Sequence, residues 1–487
     1  MKSILVTLLM GLIALVASSF AWYFYPKIQV EEVADREFLV AENQAFDSSS
    51  VRRFKIETYD KRNARQIELV LNRGRWEIPA RNNFLAGNAE RIAAAINAMS
   101  DKKILELVSD QQDDHETYGV LEYSEAGPTG LGLGSMVTLE GRNRQTLGKM
   151  IVGNPTTANP AHRYVRLPGQ PQIYIVDFND TILTTEFADW TDGDLLGFGP
   201  QPPNMTQLID HIEIDFYFID PETIGSDGPR KQVYRTRITF GEEGWVYDMW
   251  QPAEGSSEMP EEPSIKGGKV DARAEGALGR FVRQMLLFAL KDVTKKPQEV
   301  ARELNNPNEQ GSDNQFEPLH KFGYRGAGFE FGQHQFESTA GVATIALRNG
   351  QQMKMHIGNL ASMDVAGGGN INRFMMITAD FDESLMPLPP NPDDEPADDE
   401  AESESEGEEA AESGQQEQQE MSLDDRRREY QARLNQRNQI GETARQRVRA
   451  QNQIHADWIY VIPEDAIEVL FPPADSWKAP PPSGNHP

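Results

Sequence analysis

Cysteine is absent from the 487 residues. That excludes a disulfide framework, a thiolate nucleophile, a Cys-ligated zinc and a lipidated cysteine, and it leaves the redox compartment open. Positive charge is scarce. Lys and Arg number 47 against 76 Asp and Glu, a net charge of −29. A nucleic-acid binder needs a basic face for phosphates, so that class is set aside. Histidine is sparse as well: His115, His162, His211, His320, His334, His356, His455 and His486 are all there are. None of them forms His-Glu-x-x-His or a close ligand pair. A Walker loop and a Gly-x-Ser-x-Gly elbow are both missing. The run Gly130-Leu131-Gly132-Leu133-Gly134 precedes a strand instead of opening a helix, and it lacks dinucleotide spacing. Asp189, Asp192 and Asp194 do not match a calcium loop. Paired carboxylates are too common in so acidic a chain to single any out. No catalytic, cofactor-binding or metal-ligating residue is nominated, and no cofactor is expected.

What the chain does have begins at its N-terminus. Residues 4–25 carry no charge over 22 positions. At about 1.5 Å per residue such a run spans a hydrocarbon core of roughly 30 Å. It ends in Trp22-Tyr23-Phe24-Tyr25, an aromatic cluster suited to the headgroup level. The reading is a transmembrane anchor over residues 1–26, with the N-terminus inside and the bulk of the chain extracytoplasmic. The rival is a cleaved signal peptide, for which Ser19-Phe20-Ala21 offers a small-x-small site. The apolar run continues past that site, which favours retention.

The length suggests two or three domains, and a hydrophobic share of 38% is enough for real cores. Two stretches point to one fold unit used twice. Residues 136–154 are two β-like runs around Gly141-Arg142-Asn143-Arg144, ending in Lys149-Met150-Ile151-Val152-Gly153-Asn154. Residues 342–359 repeat the plan and end in Lys354-Met355-His356-Ile357-Gly358-Asn359. Around the first lie alternating strands at 51–59, 66–71 and 75–78, then a helix from Asn88 to about Met99 or as far as Leu107. Runs at 163–167 and 172–176 follow, joined by Pro168-Gly169-Gln170-Pro171, and a short helix at 181–187. Around the second, strands at 208–218 and 233–240 and Gly244-Trp245-Val246-Tyr247 repeat the opening. A helix is expected over 271–292, and strands at 373–378 and 458–462 precede a closing helix at 463–471. His320 precedes Phe322-Gly323 as His115 precedes Tyr118-Gly119; the pair reads as polar loop caps, or else as two histidines facing each other across an interface.

The expected fold class is therefore α+β: two tandem copies of a mainly antiparallel sheet-plus-helix domain at 47–198 and 205–477. A four-residue turn in the first copy becomes an insertion at 386–455 in the second. Its first half, 393–420, holds 14 acids and no base and reads as disordered. Its second half, 422–453, reads as an Arg-rich helix. Its stripe of Leu423, Tyr430, Leu434, Ile440, Ala444 and Val448 is too narrow for a core. Such a helix is either solvated, its charge neutralised by the acidic run, or docks on a partner. A Pro-rich tail, 478–487, closes the chain.

In its first copy the chain resembles a bacterial family, the domain of unknown function numbered 4340. The residues that carry the resemblance are Trp76, Ile92, Tyr118-Gly119, Val152-Gly153 and Arg163-Tyr164-Val165, followed by Tyr174 and Leu195-Leu196. The resemblance implies one N-terminal membrane segment and tandem copies, often beside ABC-type transporters of the gliding-motility kind. It implies no catalytic residue. The expectation is a single-pass protein of the bacterial inner membrane, its bulk periplasmic. It acts as a binding or scaffold protein accessory to an ABC-type transporter or cell-envelope complex, with a protein partner, the membrane and no nucleic acid. The alternatives are an envelope hydrolase whose carboxylates assemble only in three dimensions, and a purely structural envelope spacer.

Overall fold

The computed structural model describes residues 37–38, 47–99, 102–197, 208–226, 228–241, 244–270, 279, 282–283, 287–305, 313–330, 333–361, 372–392 and 423–477. The expected anchor at 1–26, the acidic run at 393–420 and the tail at 478–487 lie outside them. No helix among the described residues is long and apolar enough to cross a membrane. The fold is mixed α/β with two large antiparallel sheets. The chain divides into two compact units, Met1–Thr191 and Asp192–Pro487.

Unit 1 contains β1 (Glu37–Phe38), β2 (Arg53–Asp60), β3 (Asn63–Asn72), β4 (Arg75–Ile78), β5 (Phe84–Leu85), α1 (Ala89–Asn97) and β6 (Lys102–Ser109). Then come α2 (His115–Tyr118), β7 (Ser135–Glu140), β8 (Thr146–Pro155), β9 (His162–Arg166), β10 (Ile173–Asp177) and α3 (Phe187–Trp190). The strands form one sheet in the order β1-β6-β10-β9-β8-β7-β2-β3-β4-β5. Alternation puts Phe54, Ile56, Leu69, Val137, Leu139 and Met150 at or near zero exposure. The Trp190 ring meets Phe54 edge-on at 5.6 Å. Asn88 caps α1 by accepting from Arg91 N, as its sequence position suggests. The helix stops at Asn97, and residues 102–109 are strand β6 instead of a continuation, because pairing with β10 wins over local helical spacing. The helix expected at 181–187 is displaced: a 3₁₀ turn spans Asp180–Ile182, and α3 begins at Phe187, where Phe187 and Trp190 reach the core.

Unit 2 contains β11 (Ile209–Phe218), β12 (Lys231–Gly241), β13 (Gly244–Trp250), β14 (Ile265–Lys269), β15 (Asp292–Lys295) and α4 (Gln298–Leu304). After a 3₁₀ stretch at Asp313–Phe322 come β16 (Tyr324–Glu330), β17 (Gln333–Ser338), β18 (Val342–Leu347), β19 (Gln351–Ala361) and β20 (Asn372–Phe381). The unit closes with α5 (Leu423–Ala456), β21 (Trp458–Pro463) and α6 (Glu464–Leu470). The main sheet runs β14-β13-β12-β11-β18-β19-β20-β21-β15, and β16-β17 form a separate hairpin. Of the helix expected over 271–292, the described residues show helical backbone at Gly279, Val282 and Arg283. It is over by Leu287, and Asp292 already opens β15, drawn into pairing with β21. The β16-β17 hairpin was not foreseen, since Gly326 and Gly328 interrupt its alternation.

Set side by side, the two sheets share one strand order. From β5 through β2, β7 and β10 to β6, unit 1 follows the same path as β14 through β11, β18 and β21 to β15. The register agrees as well. Lys55 of β2 lies between Glu68 and Thr138, and Thr138 faces Lys149. At the matching positions Glu213 lies between Arg237 and Thr344, and Thr344 faces Lys354. The Thr and Lys are kept while the charges of the first pair are exchanged, which preserves an opposite-charge neighbour across the strands.

Helix α5 departs from expectation. Its C-terminal half packs on its own unit, burying Gly441, Ala444, Val448, His455 and Ala456. Strand β21 pairs only with Asn372–Met375 of β20, so the rest of that edge needs another cover. Asn452 supplies part of it: its side chain accepts from Ala379 N at 2.8 Å and donates to Ala379 O at 2.7 Å. A side-chain amide thus stands in for a neighbouring strand. Arg437 donates to Met386 O and pairs with Glu383 at 3.1 Å, and Arg445 pairs with Glu383 at 3.0 Å. The stripe was too narrow for a helical core, but Gly441 and Asn452 widen it into a face that fits a sheet edge. Residues 424–436, by contrast, are exposed except for the half-buried Tyr430 and Leu434.

Candidate functional site

The repeated Gly-Asn pairs are clamps on a loop. In unit 1, Gly119 (φ 71°) ends α2 in a left-handed turn. Gly153 of β8 lies under it, and a Cβ there would collide with Tyr118 O. Asn154 donates to Thr117 O at 3.4 Å. In unit 2, Gly323 (φ 89°) makes the matching turn, and a Cβ on Gly358 would collide with Phe322 O. Asn359 donates to Lys321 O at 3.3 Å and its Oδ1 accepts from Thr339 at 2.9 Å. The motif that marked the repeat in the sequence is therefore a packing device. His115 is buried, with Nε2 3.0 Å from Pro171 O, and serves as a loop cap. His320 stands against Gly225 within unit 2.

Two polar constellations in unit 2 remain. The first ties the β16-β17 hairpin to the sheet. Arg230 donates to Glu337 through Nε at 2.6 Å, lies 3.6 Å from Asp215, and stacks over the Tyr217 ring at 4.6 Å. Arg235 reaches Asp215 at 3.3 Å, and Arg325 donates to Glu337 at 2.6 Å. Burial pushes the Asp215 carboxyl up, against the pull of Arg235 and Arg230. Its Oδ1 has no partner among the described residues.

The second constellation is deeper and surrounds the seat of α5. Lys296, which follows β15, is 3% exposed. Its Nζ donates to His455 O at 2.7 Å, and its backbone N donates to Asp457 O at 2.7 Å. His455 Nδ1 lies 2.7 Å from Tyr460 Oη, and its Nε2 lies 3.1 Å from Gln451 Oε1. Gln451 Nε2 donates to Leu196 O, which turns its Oε1 toward the imidazole. His455 is thereby the Nε2–H tautomer, accepting from the tyrosine. His356 of β19 places Nε2 3.0 Å from Thr378 Oγ1, and its Nδ1 is buried without a partner among the described residues. Burial pulls Lys296 down to about 7 despite Asp457. It pulls His356 and His455 to about 3, with the Lys296 charge adding to both. Tyr460 and Tyr324, the latter donating to His356 O, are raised by burial.

Among the described residues no three His, Asp or Glu side chains gather closely enough to hold a metal ion. Sequence spacing had no means of finding either constellation. Lys296, His356 and His455 come from three distant segments, and Asp215 meets Arg230 and Glu337 only across the folded hairpin.

Comparison with known proteins places residues 76–230 in resemblance to one family, Domain of unknown function (DUF4340). No curated protein and no solved structure matches the chain.

Proposed function

From this resemblance to the family of domain of unknown function 4340 over residues 76–230, we propose that the chain is a membrane-anchored, extracytoplasmic binding or scaffold protein. It is an accessory subunit of an ABC-type transporter or cell-envelope complex of the bacterial inner membrane, and its two sheets are tandem copies of one unit. The charge-free run at residues 4–25 supports the anchor. The common strand order and the twice-used Gly-Asn clamp support the duplication.

The observation that carries the binding reading is the half-seated α5. A 34-residue helix is roughly 50 Å long. Its C-terminal half is fastened to unit 2, while residues 424–436 carry Tyr430 and Leu434 on the same seam beyond it. An isolated stretch of about 14 residues is marginal as a free helix, so the seated half holds the other in shape for a partner surface. The partner fitting it is a protein with an apolar notch flanked by acids, facing Arg426 and Arg433, which lie four residues before and three after Tyr430 on the helix. The hydrolase reading has less behind it, because Asp215 and Glu337 are both engaged by arginines that fasten a hairpin. The test is capture from solubilised membranes with the full chain and with Tyr430→Asp/Leu434→Asp. Transporter or envelope subunits should be recovered with the first and fall at least about tenfold with the second. Equal recovery would remove α5 from the interface.

A further inference from the structure

We propose that the seat of α5 is an acid-sensitive latch, in which protonation of the buried base cluster formed by Lys296, His356 and His455 releases the C-terminal half of the helix from the sheet. The inference takes α5 as the docking element of the reading above and adds its regulation.

Among the described residues the site offers few acceptors for added protons, and the Leu195 backbone hydrogen bond to His455 offsets its burial only in part. An ammonium at Lys296 needs three acceptors, and among the described residues His455 O is the one it meets. A second proton on His455 would sit on Nδ1, which faces the Tyr460 hydroxyl that now donates to it. A second proton on His356 would sit on whichever nitrogen is free of one. Among the described residues its Nδ1 meets no acceptor, and its Nε2 meets the Thr378 hydroxyl. All three cations would also repel one another in a dry site. Charged groups near the cluster come from several surrounding elements, and α4, which packs on α5, carries Glu303 paired with His334 of β17 at 3.4 Å. Lys354 of β19 adds positive charge beside His356, while Asp380 of β20 is paired to Lys354. Asp457, just past α5, is 3.7 Å from Lys295 and lowers the cost of charging Lys296 only in part. Tyr460 of β21 and Tyr324 of β16 stay protonated and offer no charge.

Each base is held below its ordinary pKa while the helix is seated, so the unseated form binds more protons. Seating is therefore stabilised as pH rises and lost as it falls. For the imidazoles the window runs from 6.5 down to about 3. For Lys296 it runs from 10.5 down to about 7. Two imidazoles together shift the opening equilibrium up to about a hundredfold per pH unit inside their window.

Hydrogen exchange on the full chain reads the latch directly. Between about pH 7 and about pH 5, protection of amides in residues 441–456, corrected for intrinsic rates, should fall at least about tenfold relative to β11–β13. The His356→Gln/His455→Gln variant should lose most of that dependence. Protection that stays in constant ratio to β11–β13, or a variant with an unchanged pH response, would overturn the latch. Should the variant fail to fold, imidazole proton shifts of the wild-type chain decide the matter. Either imidazole titrating near 6.5 while α5 remains protected would overturn it, and absence of titration until protection is lost would support it. These measurements need no partner. Failure here with α5-dependent capture intact would leave the docking reading standing, and the reverse outcome would leave the latch standing without it.

Discussion

Gly153 and Gly358 have no room for a side chain, because the carbonyls of Tyr118 and Phe322 lie directly over them. Replacing either with Ala overpacks a backbone contact and should cost roughly 2–3 kcal/mol. Gly169 is different: its φ is 76°, but the space around it is open, so Gly169→Ala should cost only about 1 kcal/mol. Urea unfolding checks the contrast, with Gly153→Ala shifting the transition of unit 1 and Gly358→Ala that of unit 2. A loss at Gly153 no larger than that at Gly169 would mean that the Tyr118 carbonyl gives way and the clamp sets no penalty. The motif containing these glycines was legible as a repeat from the sequence. Its use was not, since the loop that each glycine supports lies more than thirty residues earlier. The base cluster was less legible still. The second lysine of Lys295-Lys296 and two scattered histidines become a unit only when β15, β19 and α5 converge.

For helix α5 the stripe of Tyr430, Leu434, Ala444 and Val448 was visible in the sequence, but what it packs on was not. On the stripe alone, replacing Met386 to His455 with a short Gly/Ser turn predicts a melting temperature within a few degrees of the intact chain. The packed half changes that outcome. Deletion through His455 strips the cover from Ala379 and exposes the face beneath Ala444 and Val448, at a cost of several kcal/mol. For a unit of this size that is a drop of roughly 10 °C or more in Tm. Replacing only residues 387–436 with a Gly/Ser linker should leave Tm within about 5 °C, because the deleted turns bury little. Calorimetry on both deletions separates the halves. A large loss from the shorter deletion would show that Tyr430 and Leu434 pack on their own unit instead of on a partner.

At the scale of the whole chain, the proposal makes the N-terminal run decisive for location. Full-length protein should sediment with inner membranes and resist salt and carbonate washes, and removal of residues 1–26 should release it to the soluble fraction. A soluble native species beginning near Trp22 would show that the run is a cleaved leader. The antiparallel character of the main strands could be read from residues alone, because alternation of period two and paired turn residues are local signals; β6, β15 and the β16-β17 hairpin could not. The order in which strands pair, the covering of β20 by Asn452, and the meeting of Lys296 with His455 were decided only by tertiary structure. Backbone edges must be satisfied wherever the chain leaves them buried, and a buried amine takes the nearest carbonyl whatever its distance in sequence. Local pattern thus determined what most segments become, sheet pairing overrode it at residues 102–109 and 292–295, and the closing of polar groups in the folded interior determined which segments meet.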